Sequence, residues 1–533
     1  LLEFKEIFPV LYAHLPSFVR SVFALGLGEE CYLERLLKKI ADKSAELNFP
    51  PYLVDLARLE FAIYQLGSDE DLSVSAELTE IIVNPQLQLL KSEWSGLPAV
   101  IAGKALAEDL KVNSEGEFIL LFRHPQSRKI VVRKATERDL LALKIMAEEL
   151  PLERVAQAGS VALGVVEQVI REGVSNGILL SPPSLIRRSP AAIFSRDKDC
   201  DNDFLSSNFF TLQWHVTQKC DLNCRHCYDR SDRQPLLLAQ GLRILDELSS
   251  FCRAHFVRGQ VSFSGGNPLL YPDFMVLYEA AVERGLQVAI LGNPTDRKTL
   301  EKLLAIKAPV FYQISLEGLS EHNDYMRGSG HFEKALAFLD LLQDVGIYSM
   351  VMLTLTRANH DQVLPLAEVL RGRVDLFTFN RLAMVGEGAS LYSVEPQKYR
   401  DFLEQYLAAA EHNPVISLKD NLFNIVKEEQ AQPWSGGCAG YGCGAAFNFL
   451  SLLPDGEVHA CRKLPSLLGN IFSEGLSEIY HSALAERYRQ GSSACRDCQI
   501  RPVCGGCPAV VYGFGLDVFK DKDPYCFYAS AAS

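Results

Sequence analysis

No stretch of this 533-residue sequence approaches the ~20 consecutive apolar residues that a membrane-spanning helix needs. The N-terminal LLEFKEIF also lacks the apolar core of a secretory signal. A cationic excess is missing as well: 53 Lys and Arg against 66 Asp and Glu leave a net charge of -13. Without a general positive field, neither nucleic acid nor a membrane is an expected partner, and the cytoplasm is the expected location. No heptad repeat signals a coiled coil. What the chain does have is cysteine, 14 in all, and most of it clustered. In a long chain in a reducing compartment, clustered thiols favour metal over disulfides.

Length and a hydrophobic content of 48% suggest roughly three or four domains. Residues 1–104 read as mainly helical, with Leu53, Leu56, Leu59, Ile63 and Leu66 repeating after Pro50 and Pro51, and a short strand-like TEIIVN at 79–84. Residues 105–182 carry two apolar runs around a turn at His124 to Arg128, predicting a β-hairpin, and then two amphipathic helical stretches. A Pro-, Ser-, Arg- and Asp-rich linker is expected at 183–207. From 208 to 395 six β-rich runs (210–216, 261–264, 287–291, 309–315, 348–355 and 374–380) alternate with helical stretches. That alternation predicts parallel βαβ units, in an open doubly wound sheet or a full or partial barrel. Residues 396–533 read as bridging helices and a small cysteine-rich domain held by metal.

CDLNCRHC at 220–227 begins a few residues after the first of these runs, where α/β folds gather their chemistry. Three thiolates from one loop hold three corners of a [4Fe-4S] cube and leave one iron open to a substrate or cofactor. The alternative is a structural zinc site completed by His226 or a distant residue. Nearer the C-terminus stand Cys438, Cys443 and Cys461, then CRDCQIRPVCGGC with Cys495, Cys498, Cys504 and Cys507, and finally Cys526. Spacing alone fits zinc ribbons and iron-sulfur clusters equally well. Cys31, Cys200 and Cys252 fall outside every pattern and read as ordinary buried or linker residues.

With its Cys-x3-Cys-x2-Cys loop, the sequence resembles the radical S-adenosylmethionine superfamily over about 208–390. The resemblance implies a partial (β/α)6 barrel in which Cys220, Cys224 and Cys227 ligate a [4Fe-4S] cluster and the open iron binds S-adenosylmethionine. Its implied chemistry is a 5'-deoxyadenosyl radical that removes a substrate hydrogen. SGGNP at 264–268 is similar to the family's GGEP, which makes Gly265, Gly266, Asn267 and Pro268 candidates for the methionine amino end, with Asn267 replacing the usual Glu. In QISLEG, Ser315 and Glu317 are the candidates for the ribose, and Arg327 is the candidate for the carboxylate. Behind the barrel, Cys443, Gly456, Cys461 and the C-x2-C-x5-C run resemble the SPASM extension of peptide-modifying radical enzymes. That implies two auxiliary [4Fe-4S] clusters, one on Cys438, Cys443, Cys461 and Cys507 and the other on Cys495, Cys498, Cys504 and Cys526. The final C-x2-C, where the family more often has C-x3-C, leaves this partition open.

The hairpin and helices of 105–182 resemble winged-helix elements that capture the leader of a ribosomally made peptide as an extra strand. A generic DNA-binding winged helix is the alternative, and the acidic chain argues against it. PPYLVDLARLEFAI (50–63) and NPQLQLLKSEW (84–94), both of which read on pattern as amphipathic core helix, are similar to the helical partner proteins of multinuclear iron oxidases. The whole most resembles the selenobiotic-type maturases, which install thio(seleno)oxazoles. The resemblance thus implies oxidation of a precursor peptide at Cys or selenocysteine, with a flavodoxin or ferredoxin as electron donor. The alternatives are a protein dehydrogenase of the anaerobic sulfatase-maturase type and a non-catalytic iron-sulfur scaffold. Tyr228, His226, Glu387 and Arg381 are barrel-interior candidates, and none is assigned as a catalytic acid or base.

Overall fold

The computed structural model describes residues 2–14, 34, 36–38, 40, 49–68, 78–161, 163–189 and 204–528, so Cys31 and Cys200 lie outside the described residues. The chain folds as two compact units, Leu1–Pro183 and Ser184–Ser533.

In the first unit, the 3.6-residue repeat after Pro51 forms the helix Leu53–Ser68, whose Leu53, Leu56, Leu59 and Leu66 are buried. TEIIVN yields strand β1 (Ile82–Val83). The second expected helix, NPQLQLLKSEW, is instead mostly strand β2 (Gln88–Ser95). Leu90, Ser92 and Trp94 recur every second residue, the period of a strand, and Leu90 and Trp94 join the same apolar cluster. β2 pairs antiparallel with β3 (Lys111–Arg123), which pairs antiparallel with β4 (Ile130–Lys134) across the predicted hairpin turn. The order is therefore β2-β3-β4, and the sheet crosses the boundary expected at 104. Helices Glu137–Ala147, Leu152–Gly159 and Leu163–Ser175 follow, and β5 (Leu179–Leu180) closes back on β1.

Among the described residues the second unit is built on one nine-stranded sheet. β6 (Phe209–Thr217), β7 (Arg258–Gly265), β8 (Gln287–Leu291), β9 (Tyr312–Ser315), β10 (Ser349–Leu355) and β11 (Leu376–Arg381) are parallel and adjacent in chain order. β11 does not close on β6. The free side of β6 instead takes β12 (Phe449–Leu452) in parallel, with β13 (Glu457–His459) and β14 (Leu467–Asn470) continuing antiparallel. This is a partial barrel whose sheet runs directly into the cysteine-rich region.

Strand alternation decides what each face carries. Phe210, Leu212, Trp214 and Val216 of β6 are buried in the apolar core, while Thr211, Gln213 and His215 line an inner cavity. Residues 184–189 and 204–207, within the expected linker, also belong to this unit: Ser184 Oγ donates to the Ser207 carbonyl at 2.6 Å.

One polar contact in the first unit is pH-sensitive. The buried Glu60 carboxylate accepts from Val10 N at 2.6 Å and Leu11 N at 2.8 Å, capping the helix Pro9–His14. Burial, opposed by those two N–H groups, pushes its carboxyl up to about 7. A raised carboxyl favours the neutral form in the fold, so its ionisation destabilises this packing as the pH climbs from the unfolded value through about 7. Hydrogen-exchange protection factors at Val10 and Leu11 are expected to fall between about pH 5 and about pH 8. In Glu60→Gln they should be flat with pH, and an equal fall in that variant would refute the assignment.

Candidate active site and cluster-binding thiols

Parallel strands deliver their carboxyl ends to one side, and the Cys220 loop begins there, three residues after β6 ends at Thr217. The end of β7 packs tightly against it. A Cβ on Gly265 would stand 2.2 Å from the Thr217 carbonyl oxygen, and one on Gly266 2.2 Å from that of Lys219. Gly266 N donates to Thr217 O at 2.9 Å and Asn267 N to Lys219 O at 2.7 Å. Pro268 then opens a short turn, 268–270, whose Leu269 N donates to Asn267 Oδ1 at 3.3 Å. Asn267 is buried, and its amide donates to Asp221 Oδ1 at 3.0 Å. Asn293, just past β8, reaches the same oxygen at 2.6 Å and lies 3.6 Å from Cys220 Sγ. Tyr312 of β9 fixes Asn293 by donating to its carbonyl at 2.8 Å.

Glu317 and Arg327 are brought together on the opposite flank of the loop. Glu317 Oε1 accepts from Arg327 Nη2 at 2.6 Å and lies 3.3 Å from His226 Nε2, while Oε2 accepts from Thr354 N at 2.8 Å. Burial alone would raise this carboxyl, but His226 and Arg327 beside it, together with the Thr354 N–H, hold it well below the usual carboxylate range. Arg327 Nη1 reaches to 3.7 Å from Cys224 Sγ. Ser315 and Arg327 face the cavity, whereas Glu317 is 1% exposed and stands behind Arg327 as its anchor.

All twelve described cysteines are free thiols. Those in the C-terminal region separate into two sets by mutual influence. Burial, then the neighbouring Cys438, Cys507 and Cys461, pushes Cys443 up to about 12; burial, then Cys507 and Cys438, does the same to Cys461. Cys495 and Cys498 are raised by burial and by Cys526, and Cys504 by burial, Asp523, Cys495 and Cys498. Among the described residues, no group of three or more His, Cys, Asp and Glu side chains is placed to hold a single metal ion. Cys252 stays apart, buried in the apolar core.

A cavity of about 850 Å³ joins these parts. Cys220, Cys224 and Cys227 line its wall, as do Cys438, Cys443, Cys461 and Cys507; the other four C-terminal thiols do not. On the same wall, Tyr228 OH lies 3.1 Å from His215 Nε2, and the Arg462 guanidinium stands 5.1 Å from the Tyr228 ring centre. Burial pushes the Tyr228 hydroxyl up to about 12. His215 is held well below its ordinary value by burial, Arg462, Arg233 and His459. Arg381, at the end of β11, donates to Asp420 Oδ2 at 2.7 Å and Asp523 Oδ1 at 2.9 Å. Glu387 instead is half-exposed and lies 3.6 Å from Arg230. Asp221, Asn293 and His215 were not singled out by the sequence. Asp221 sits inside the CDLNC motif and Asn293 inside the Gly-Asn-Pro stretch at 292–294 that follows β8, so only their three-dimensional pairing marks them.

Residues 214–370 match the radical SAM superfamily, and residues 443–507 match the SPASM family, described as an iron-sulfur cluster-binding domain. The fold is accordingly a radical SAM partial barrel with a C-terminal SPASM domain. The first binds a [4Fe-4S] cluster and S-adenosylmethionine, and the second binds auxiliary iron-sulfur clusters. The free thiols, seven of them on the wall of one cavity, fit such clusters. Among curated proteins the chain is 26% identical to the AdoMet-dependent heme synthase of Methanosarcina barkeri, over 60% of this chain and 96% of that protein. It is 26% identical to the antilisterial bacteriocin subtilosin biosynthesis protein AlbA of Bacillus subtilis, over 56% of this chain and 68% of that one. It is 29% identical to the mycofactocin maturase MftC of Mycolicibacterium smegmatis, over 59% of this chain and 82% of that one.

Because a methyl on Gly266 would meet backbone oxygen and not a yielding side chain, Gly266→Ala should displace the Cys220 loop. After reconstitution the variant should lose the iron of the Cys220-loop cluster while keeping that of the SPASM domain. Full iron content with an unchanged spectral response to S-adenosylmethionine would contradict this.

Proposed function

We propose that this protein is a radical S-adenosylmethionine maturase that captures a ribosomally made precursor peptide with its first unit and oxidises it in the cavity of its second. The observation that carries this reading is the single cavity lined by Cys220, Cys224 and Cys227 and also by all four thiols of the first SPASM set. A cluster with an open iron supplies, with S-adenosylmethionine, the hydrogen-abstracting radical; a fully ligated cluster in the same cavity is suited to accept the electron a substrate radical gives up. In this assignment Cys220, Cys224 and Cys227 hold the first cluster. Cys438, Cys443, Cys461 and Cys507 hold one auxiliary cluster, and Cys495, Cys498, Cys504 and Cys526 the other. Gly265, Gly266, Asn267 and Pro268 cradle the methionine end. Ser315 faces the ribose, and Arg327, held by Glu317, receives the carboxylate.

Substrate class rests on the first unit. The match to the heme synthase covers 96% of that protein but 60% of this chain, so a large part of this chain has no counterpart there. AlbA and MftC, by name a bacteriocin biosynthesis protein and a mycofactocin maturase, favour a peptide. The first unit offers a sheet edge to receive one. On β2, the outward N–H of Glu93 is taken by Asp55 at 3.1 Å. On β4, the ladder bonds of His124 to Lys129 and of Ala135 to Phe118 turn the N–H groups of Ile130, Val132 and Lys134 outward. Oxidation at a cysteine or selenocysteine, with thio(seleno)oxazole formation, is the finer reading, and a flavodoxin or ferredoxin would supply electrons.

Anaerobic incubation of the reconstituted enzyme with peptides captured from its own lysate, S-adenosylmethionine and reductant should yield 5'-deoxyadenosine and a short peptide lighter by hydrogens at Cys or selenocysteine. Replacing Cys220, Cys224 and Cys227 by Ala should reduce 5'-deoxyadenosine to background. Lys134→Pro should weaken peptide capture roughly fivefold, the effect of one lost hydrogen bond, and leave uncoupled 5'-deoxyadenosine formation intact. Capture of a folded protein would favour the sulfatase-maturase reading. No 5'-deoxyadenosine from fully loaded enzyme would leave a scaffold.

A further inference from the structure

Within the segment expected as a linker lies a partly buried charge. Arg188 donates through Nη1 to the Tyr441 carbonyl at 2.7 Å and through Nη2 to the Cys443 carbonyl, and stacks 3.9 Å from the Phe447 ring centre. Its Nε is buried without a partner. Arg501, 8% exposed, donates to the Gln490 carbonyl. Space for its guanidinium is made by glycine: a Cβ on Gly491 would stand 2.3 Å from Nη2, and one on Gly505 2.2 Å from Nη1. Both arginines line one small space that also touches Cys443 of the first SPASM set and Cys495 and Cys504 of the second.

Among the described residues no carboxylate lies within ion-pair distance of either guanidinium. Asp523, on the wall of the same space, is committed to Arg381, Cys507 N and Tyr525 N, and Asp521 to Asp517 N. Arg489, the third arginine there, has its own partner, Glu486, at 2.8 Å. A buried guanidinium and a partly buried one, satisfied only by carbonyls, are destabilising unless an anion stands close. The groups that can supply negative charge on both sides are the thiolates of the two sets and the clusters they bind.

We propose that Arg188 and Arg501 form a cationic bridge between the two auxiliary clusters that raises the reduction potential of both. Positive charge and hydrogen bonding beside an iron-sulfur cluster favour its reduced, more negative form. The inference rests on the clusters and not on the substrate, so it survives if the peptide reading fails.

The test is an anaerobic redox titration, followed by electron paramagnetic resonance, of the fully reconstituted holoenzyme. The Cys220-loop cluster is recognised by its response to S-adenosylmethionine. In Arg188→Gln or Arg501→Gln the reduced-to-oxidised ratio of the auxiliary clusters at a fixed potential should fall about tenfold, about 59 mV for a one-electron couple. The Cys220-loop cluster should titrate as before, and Arg188→Lys, which keeps the charge, should stay near wild type. Unchanged auxiliary potentials in an iron-replete Gln variant would overturn the proposal, as would an equal shift in Arg188→Lys. If the Gln variants do not load iron, Arg188→Lys decides: auxiliary potentials near wild type sustain the bridge, and lowered ones overturn it.

Discussion

Parallel strands end together, and the second unit depends on that constraint. Six strands in chain order, all running the same way, bring the Cys220 loop, the Gly265–Gly266 turn, Asn293, Ser315 and Arg381 to one side of a single sheet. The outward faces supply the apolar core, so the inward faces are free to carry Gln213, His215, Ser262, Ser264, Gln313 and Thr378 around the cavity. A barrel with this pattern turned inside out would be packed solid. The polar interior is thus as much a condition of function as the thiols are.

Charge is arranged with the same economy. Three cations near the Cys220 loop have counter-ions: Arg327 has Glu317, Arg462 has Asp229, and Arg381 has Asp420 and Asp523. Such buried pairs fix geometry more than they add stability. Around the SPASM thiols the pattern changes, and Arg188 and Arg501 are left with carbonyls alone.

How much of this the sequence disclosed depended on how far apart the cooperating residues are. Cys220, Cys224 and Cys227 form a local motif, and the six strands announce themselves by composition and spacing, so the barrel was legible. Cysteine order suggested two sets of four C-terminal thiols, and one of those sets lines the cavity. β2 was misread as helix because QLQLLKSEW carries enough leucine to mimic a helical stripe, and its partner β3 begins only at Lys111. The pairing of Asn267 with Asp221 spans 46 residues, and that of Arg188 with Cys443 spans 255. No periodicity reports contacts of that kind, and a Pro- and Ser-rich stretch conceals an arginine that is partly buried.

The β6–β12 ladder has a further consequence. Because Phe449 to Leu452 hydrogen-bond in register with Thr211 to Trp214, the SPASM domain is a continuation of the barrel wall and not a module on a tether. A one-residue slip in that register would turn every β12 side chain to the opposite face. Recombination between such enzymes is therefore constrained: a new C-terminal domain must bring a strand that matches the host's first barrel strand. Among the described residues the first unit is compact in its own right and adds no strand to that sheet, so it carries no such register constraint.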